Sequence, residues 1–231
     1  MTWFELMNSR KGWIHPVGEG DAPRPLVWLV AGEMTEERMA EMEAVLLPQI
    51  QAGACHPFVL AGFDPVDWDQ DYAPWPFETP DGRRFGDGAA ALLHFAQQIF
   101  LPEAERRFCF DGRRFAVGYS LGGLAAVYFA PQADWAGCGS CSGSLWYPDF
   151  LDWLQQHPPR CPVYLSLGGK EKNTRDPLMA QVEDCTRAAF DLLRPHTQTT
   201  FVHEPGGHFR GTAQRLSNAI VWLMNDQLRK S

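Results

Sequence analysis

Short apolar runs that alternate with helix-like segments constrain this chain more than any other feature of its sequence. Residues 26–31 (LVWLVA) form an uninterrupted apolar run, which is typical of a strand buried on both faces. Further strand-like runs lie at 57–61, 115–117, 138–142, 163–167 and 200–203, and helix-like segments begin near 35, 87, 121, 177 and 212. This alternation predicts an α/β fold with a mostly parallel central sheet and helices on both faces.

Several boundaries can be predicted from local chemistry. Thr35 is expected to cap a helix with acidic residues in its first turn, and Asp87 a helix that runs through Phe100 and ends near Pro102. Pro177 is expected at the first position of a helix that reaches Leu193. A loop of nearly 25 residues follows the strand at 57–61, and the N-terminal WFEL and GWIHPV segments are predicted to be antiparallel edge strands.

Composition excludes several classes of protein. The 231 residues suit one domain, predicted to span 1–231, and 45% hydrophobic side chains exclude a disordered chain. A net charge of -8 is the wrong sign for a general nucleic-acid binder, so no nucleic-acid partner is expected. No apolar stretch approaches the length of a membrane span and no signal peptide is evident, which predicts a soluble, cytoplasmic protein without a membrane partner.

Two of the six cysteines, Cys138 and Cys141, form a C-x-x-C pattern. Such a pair can belong to a redox or zinc site, but a zinc site needs a second pair and none follows. The segment also fits a buried strand that enters a turn of small residues, and this interpretation is preferred. No metal is therefore predicted.

The segment Gly118-Tyr119-Ser120-Leu121-Gly122 is a G-x-S-x-G motif between an apolar strand and an apolar helix. In a nucleophile elbow, this order places a strained serine at the top of the sheet, and glycines two positions away prevent clashes. Glycines can also serve only to pack a helix closely on a strand. The context favours Ser120 as a nucleophile, with the Leu121 amide as one oxyanion donor and the Glu33 amide, after the strand at 26–31, as the second.

The base and the acid are expected after later strands. Among seven histidines, His208 alone follows the final strand and precedes the last helix, in the loop EPGGHF. Glu171 follows the strand at 163–167 and is the preferred acid, which would orient the imidazole. Asp176 is the rival, although its position near a helix start also fits a cap.

These segments resemble one group of proteins. GYSLGGLAAVYFA, GSLWYP, LSLGGKE and EPGGHF are similar to the esterase branch of the α/β-hydrolase superfamily that includes enterochelin esterases, esterase D and feruloyl esterases. The resemblance implies the α/β-hydrolase fold, an ester hydrolase activity, and Ser120, Glu171 and His208 as the triad. Ala31-Gly32 departs from the Asp-Gly step common in that group. Siderophore esterases carry additional cationic residues, and no such cluster is evident along the chain.

The loop at 64–81 holds six acidic residues, no Lys or Arg, and the aromatic residues Trp68, Tyr72, Trp75 and Phe77. It can be a solvated acidic loop pinned by aromatic side chains, or Trp68 or Trp75 can line an acyl or aryl pocket. Tyr119 and Trp146 are further candidates for substrate contact.

The sequence thus predicts a serine esterase that forms an acyl-enzyme, needs no cofactor and acts on a small-molecule ester. An acyltransferase would use the same triad. A non-catalytic binding module on the same fold is the alternative from a different class.

Overall fold

The computed structural model describes residues 1–7 and 10–230, and the side chains of all of these except 226–230. The strands are β1 (Thr2–Glu5), β2 (Lys11–Val17), β3 (Arg24–Val30), β4 (Phe58–Phe63), β5 (Phe77–Glu78), β6 (Arg84–Phe85), β7 (Phe110–Tyr119), β8 (Gly137–Cys141), β9 (Val163–Gly168) and β10 (Thr199–Glu204). The helices are α1 (Glu36–Gln51), α2 (Trp68–Asp71), α3 (Ala89–Phe95), α4 (Leu101–Glu105), α5 (Leu121–Phe129), α6 (Phe150–Gln156), α7 (Val182–Leu193) and α8 (Thr212–Lys230).

Eight strands form the central sheet in the order β1-β2-β4-β3-β7-β8-β9-β10. All neighbours from β4 to β10 pair in parallel, whereas β2 is antiparallel to both β1 and β4. The predicted parallel sheet is therefore confirmed, as is the antiparallel pairing of the N-terminal strands. Of these two N-terminal strands, β1 lies at an edge of the sheet, as expected. The expectation that β2 is also an edge strand is wrong, because β2 pairs with β1 on one side and with β4 on the other.

Alternation along the strands divides the core between the two faces of the sheet. Leu26, Trp28 and Val30 pack on one face with residues of α3 to α7. Val27 and Leu29 point to the other face, where α1 and α8 cover them. Each buried strand is apolar on both sides because helices cover both sides, which explains the uninterrupted runs in the sequence.

Local signals predicted the start of α1 correctly but failed at both ends of the segment from α3 to α4. The Thr35 hydroxyl accepts a hydrogen bond from the Arg38 N–H and caps α1, as predicted. Asp87, by contrast, is not the capping residue of α3. Gly88 occupies the N-cap position, so the start of this helix has no side-chain capping hydrogen bond. Nor does this helical segment end near Pro102, since a π-helical turn at Ala96–Phe100 leads directly into α4. Pro102 lies in the first turn of α4.

Two further segments differ from expectation. The loop of nearly 25 residues contains α2 and a small hairpin of β5 and β6. Pro177 does not begin a helix, because α7 starts at Val182 after a 3-10 turn at Met179–Gln181. None of the helices in the described ranges combines the length and the apolar character of a membrane span.

The order of strands places the loops after β3 and β7 together. From β3 the chain moves outward to β4 and later returns to β7 on the opposite side of β3. The loops after β3 and β7 therefore leave the same end of the sheet in opposite directions and open a crevice between them.

Candidate active site

The turn after β7 holds Ser120 in an unusual backbone conformation. Its φ is 57° and its ψ is -124°, a strained region that persists only where surrounding structure enforces it. The Ser120 N–H donates to the Cys141 carbonyl oxygen at 3.1 Å, and the Ser120 carbonyl accepts from the Ser144 and Leu124 N–H groups. Ser120 is half-buried and lies at the carboxyl end of β7.

The two flanking glycines are required by close packing. A Cβ on Gly122 would lie 1.9 Å from the Val30 carbonyl oxygen, and a Cβ on Gly118 would lie 2.0 Å from the Gly122 carbonyl oxygen. Only glycine lets α5 begin this close to β3. Leu121 is the first residue of α5, so its N–H has no acceptor within the helix and is free to point into the crevice.

Ser120, His208 and Glu171 form one chain of hydrogen bonds. The distance from Ser120 Oγ to His208 Nε2 is 3.0 Å, and that from His208 Nδ1 to Glu171 Oε2 is 2.7 Å. An ionised carboxylate only accepts, so Nδ1 carries the proton. In the neutral ring Nε2 is then the acceptor for the Ser120 hydroxyl. The structure thus brings together the three residues that the sequence singled out.

The Glu171 carboxylate is buried, with 3% of its side chain exposed. Burial alone would raise the pKa of this carboxyl, but hydrogen bonds from His208, Ser142 and the Gly168 N–H outweigh burial and hold that pKa below its ordinary value. Glu171 therefore stays ionised and keeps an acceptor in front of His208 Nδ1.

Asp176, the rival acid, lies apart from this chain of hydrogen bonds. Its Oδ1 accepts from the N–H groups of Leu178 and Met179 at 2.8 and 3.1 Å. It caps the turn that precedes α7, which is the alternative that its position suggested.

A buried arginine that the sequence did not predict lies behind Glu171. Arg215 of α8 is 1% exposed and donates to Glu171 Oε1 at 2.7 Å. The same guanidinium donates to Ser142 Oγ and to the Tyr119 hydroxyl. The sequence held one indication of this burial. Arg215 shares a helical face with the apolar residues Ala219 and Trp222, four and seven residues further on.

A cavity of about 1200 Å³ opens above Ser120. Trp68 and Trp146, both predicted to contact substrate, lie in its wall, as do Gly32 and Met34 from the loop after β3. Glu33 lies between them, is exposed, and is not one of the wall residues in the described part of the chain. Its carbonyl oxygen accepts from Arg38 at 2.7 Å.

The other two predicted substrate contacts are engaged elsewhere. The Trp75 indole N–H donates to the Pro148 carbonyl at 3.0 Å, its ring packs against Tyr147 and Phe150, and it stands outside the cavity wall. Tyr119 borders the cavity but is 7% exposed, and its hydroxyl donates to the His208 carbonyl at 2.5 Å. In the 64–81 loop, Trp75 thus anchors the loop against neighbouring residues, whereas Trp68 lines the cavity.

Three cationic side chains lie among the described residues of the cavity wall, which also includes the acidic Glu41. They are Arg38, Arg83 and Lys170. They come from three separate segments, so nothing in the linear sequence groups them. Arg83 is already paired with both oxygens of Asp69, at 2.8 and 2.6 Å.

The C-x-x-C cysteines do not form a shared site. Cys138 packs in the core on one face of the sheet and Cys141 in the core on the other, because positions three apart in a strand point to opposite sides. Within the described ranges, no three His, Cys, Asp or Glu residues cluster in a way that could hold a metal ion.

No protein-family model matches this sequence, and the search of curated proteins found no match. Solved structures are similar in fold. An IroE-like serine hydrolase from Shewanella oneidensis has a TM-score of 0.75 at 19% identity, over 96% of this chain and 76% of that one. The siderophore hydrolase EstB from Aspergillus nidulans has a TM-score of 0.69 at 15% identity, over 97% and 94% of the two chains.

The enterobactin esterase FES from Shigella flexneri, in the presence of enterobactin, has a TM-score of 0.71 at 19% identity. The match covers 99% of this chain but 58% of the esterase. Together with the parallel sheet, the helices on both of its faces and the strand–serine–helix turn, these likenesses show that the chain has the α/β-hydrolase fold.

Proposed function

We propose that this protein is a serine hydrolase that cleaves carboxylic esters through an acyl-enzyme intermediate. The observation that carries the proposal is the continuous hydrogen-bond chain from Ser120 through His208 to Glu171, at 3.0 and 2.7 Å, beneath an open cavity. The structures of similar fold support it, since they are named as serine hydrolases, siderophore hydrolases or esterases.

In the first half of the reaction, His208 Nε2 accepts the proton of Ser120 Oγ as that oxygen attacks the ester carbonyl. The negative charge that develops on the carbonyl oxygen is stabilised by backbone N–H groups, with Leu121 as one donor and the loop after β3 as the source of the second. Glu33 was predicted as that second donor, but its neighbours Gly32 and Met34 line the cavity and Glu33 does not. Glu171 stabilises the imidazolium. His208 then gives its proton to the departing alcohol, which leaves an acyl group on Ser120.

Water reverses this sequence. His208 accepts a proton from water, the resulting hydroxide attacks the acyl carbon, and the proton passes to Ser120 Oγ as the acid leaves. The chemistry requires no cofactor. Trp68 and Trp146 are proposed to contact the substrate, because both side chains line the cavity that contains Ser120.

The test is covalent labelling with a fluorophosphonate probe, followed by turnover of p-nitrophenyl esters of increasing acyl length. We expect the wild type to be labelled and Ser120→Ala to remain unlabelled and inactive. Ser217→Ala is the matched control, because Ser217 is buried on α8 and its hydroxyl has no hydrogen-bond partner among the described residues. It should be labelled like the wild type.

A wild-type protein that is neither labelled nor active would refute the proposal in favour of a binding module. Labelling that persists in Ser120→Ala would remove Ser120 from the mechanism. Adding acceptor alcohols to the ester assay distinguishes hydrolysis, which yields the free acid, from acyl transfer, which yields a new ester.

A further inference from the structure

The guanidinium of Arg215 is fully enclosed, although the mechanism above assigns it no role. Its side chain is 2% exposed, and it extends from the first turn of α8 toward the carboxyl ends of the strands. Taking a permanent charge out of water is costly unless an opposite charge and several acceptors surround it. The partners that surround Arg215 therefore indicate what this buried charge is for.

The two ends of the guanidinium fork face different parts of the site. Nη1 donates to Glu171 Oε1 at 2.7 Å, to Ser142 Oγ at 2.5 Å and to the Tyr119 hydroxyl at 3.1 Å. Nη2 donates at 3.0 Å to the carbonyl oxygens of Pro205 and Gly207. One planar group thus joins the acid to the loop that carries His208.

These contacts determine which carboxylate oxygen faces the imidazole. Oε1 of Glu171 accepts from Arg215, from Ser142 at 2.7 Å and from the Gly168 N–H at 2.7 Å. Oε2 is then directed at His208 Nδ1, 2.7 Å away. The carbonyl of Gly207, immediately before His208, is held by the same guanidinium.

We propose that Arg215 is a positioning residue, which holds Glu171 and the His208 loop in one fixed arrangement so that the imidazole points at Ser120. The effect of Arg215 on catalysis depends on the proposed function, but its effect on the orientation of the His208 imidazole does not.

The titratable, charged and hydroxyl side chains near Glu171 come from several separate elements. They are His208 from the loop after β10, Arg215 from α8, Tyr119 from the end of β7, and Ser142 and Cys141 from the end of β8. Among the described ion-pair partners of Glu171, Arg215 alone is permanently charged. Lysine would keep that charge, but a single ammonium cannot replace the two-sided fork.

The first readout is independent of ester hydrolysis. The Nδ1 proton of His208, hydrogen-bonded to a buried carboxylate, should give a low-field proton resonance that is absent from His208→Gln. We expect this resonance to be lost in Arg215→Met and weakened in Arg215→Lys. It should be unchanged in Arg194→Met, the matched control, which removes an exposed arginine paired only with Asp191 in the described structure.

The second readout is kinetic. A misplacement of about 1 Å in a catalytic group can lower turnover about a hundredfold, so we expect Arg215→Met to lower kcat by about that factor and to leave KM unchanged. Arg215→Lys should recover part of the loss. In a Glu171→Gln background, Arg215→Met should cost much less than in the wild type, because the carboxylate through which Arg215 acts is gone.

The inference is overturned if folded Arg215→Met retains the low-field resonance, or if its kcat falls by the same factor with and without Glu171. Circular dichroism establishes whether each variant is folded. If Arg215→Met does not fold, the resonance and the kcat of Arg215→Lys are compared with those of the wild type instead. A wild type that shows the resonance but is not labelled by fluorophosphonate would refute the proposed function while leaving the Arg215 experiment decisive.

Discussion

Replacing Gly122 by alanine tests whether close packing of α5 on β3 is what presents Ser120. The added Cβ would lie 1.9 Å from the Val30 carbonyl oxygen, and real Cβ atoms essentially never approach closer than 3.0 Å. Because the contact is to backbone, no side chain can rotate away. The start of α5, with Ser120 and Leu121, must therefore move by about 1 Å or more.

Two consequences follow from this displacement. Overpacking of this kind costs about 1–3 kcal/mol of folding free energy, measured by urea unfolding. A shift of about 1 Å in a reacting group lowers the rate about a hundredfold. We therefore expect the second-order rate of fluorophosphonate labelling to fall about a hundredfold in Gly122→Ala under conditions where the protein is folded.

Gly139→Ala is the matched control. The atoms nearest to its added Cβ would be side-chain atoms of Val117 and Ala219, at 3.2 and 3.3 Å, so a shift of a few tenths of an ångström relieves the contact. We expect a small change in stability and labelling at the wild-type rate. The reasoning fails if Gly122→Ala is labelled at the wild-type rate, or if its loss of labelling only equals its unfolded fraction.

Three other expectations follow from the site and the core. Burial raises the pKa of the Glu171 carboxyl, but the hydrogen bonds to the carboxylate have the larger effect and hold that pKa below the ordinary value of 4.5. The ionised carboxylate therefore stabilises the folded state at pH values above 4.5. The difference in unfolding free energy between wild type and Glu171→Gln should thus shrink as the pH falls below about 4.5, and a constant difference would contradict this. Trp68→Ala should raise KM for aryl esters with little loss of stability, whereas Trp75→Ala should cost up to about 3 kcal/mol and leave KM unchanged; the opposite pattern would exchange their roles. Iodoacetamide should modify exposed Cys109 in the folded protein and Cys55 only after unfolding, because burial raises the pKa of the Cys55 thiol to about 11; rapid modification of Cys55 would contradict its burial.

Elements with a strong local signal could be predicted from the sequence. Thr35 caps α1 because a hydroxyl one residue before a helix reaches the N–H three residues on, which is a contact within one turn. The same rule failed at Asp87, where the hydrogen bonds from the Gly88 and Ala89 N–H groups to the Gln70 and Ala73 carbonyls set the chain direction instead. These acceptors belong to the 64–81 loop, and no local pattern reveals them.

The 64–81 loop illustrates the same limit. Three of its six acidic residues have partners in this loop and the hairpin that it contains: Asp67 caps α2, Asp69 pairs with Arg83, and Glu78 pairs with Arg84. The sequence showed the cluster of carboxylates but not their partners, since Arg83 and Arg84 meet them only through the β5–β6 hairpin and its packing on α2.

Ser120, His208 and Glu171 could be selected from the linear order because each follows a strand, and parallel strands all end at one edge of the sheet. The linear order does not reveal which side chains surround these three residues. Arg215 meets Glu171 across 44 residues and Ser142 across 73, and both contacts depend on how far α8 rotates as it packs on the sheet. Backbone conformation near a turn follows from its neighbouring residues, whereas the partner of a buried side chain is decided by the packing of elements far apart in the chain.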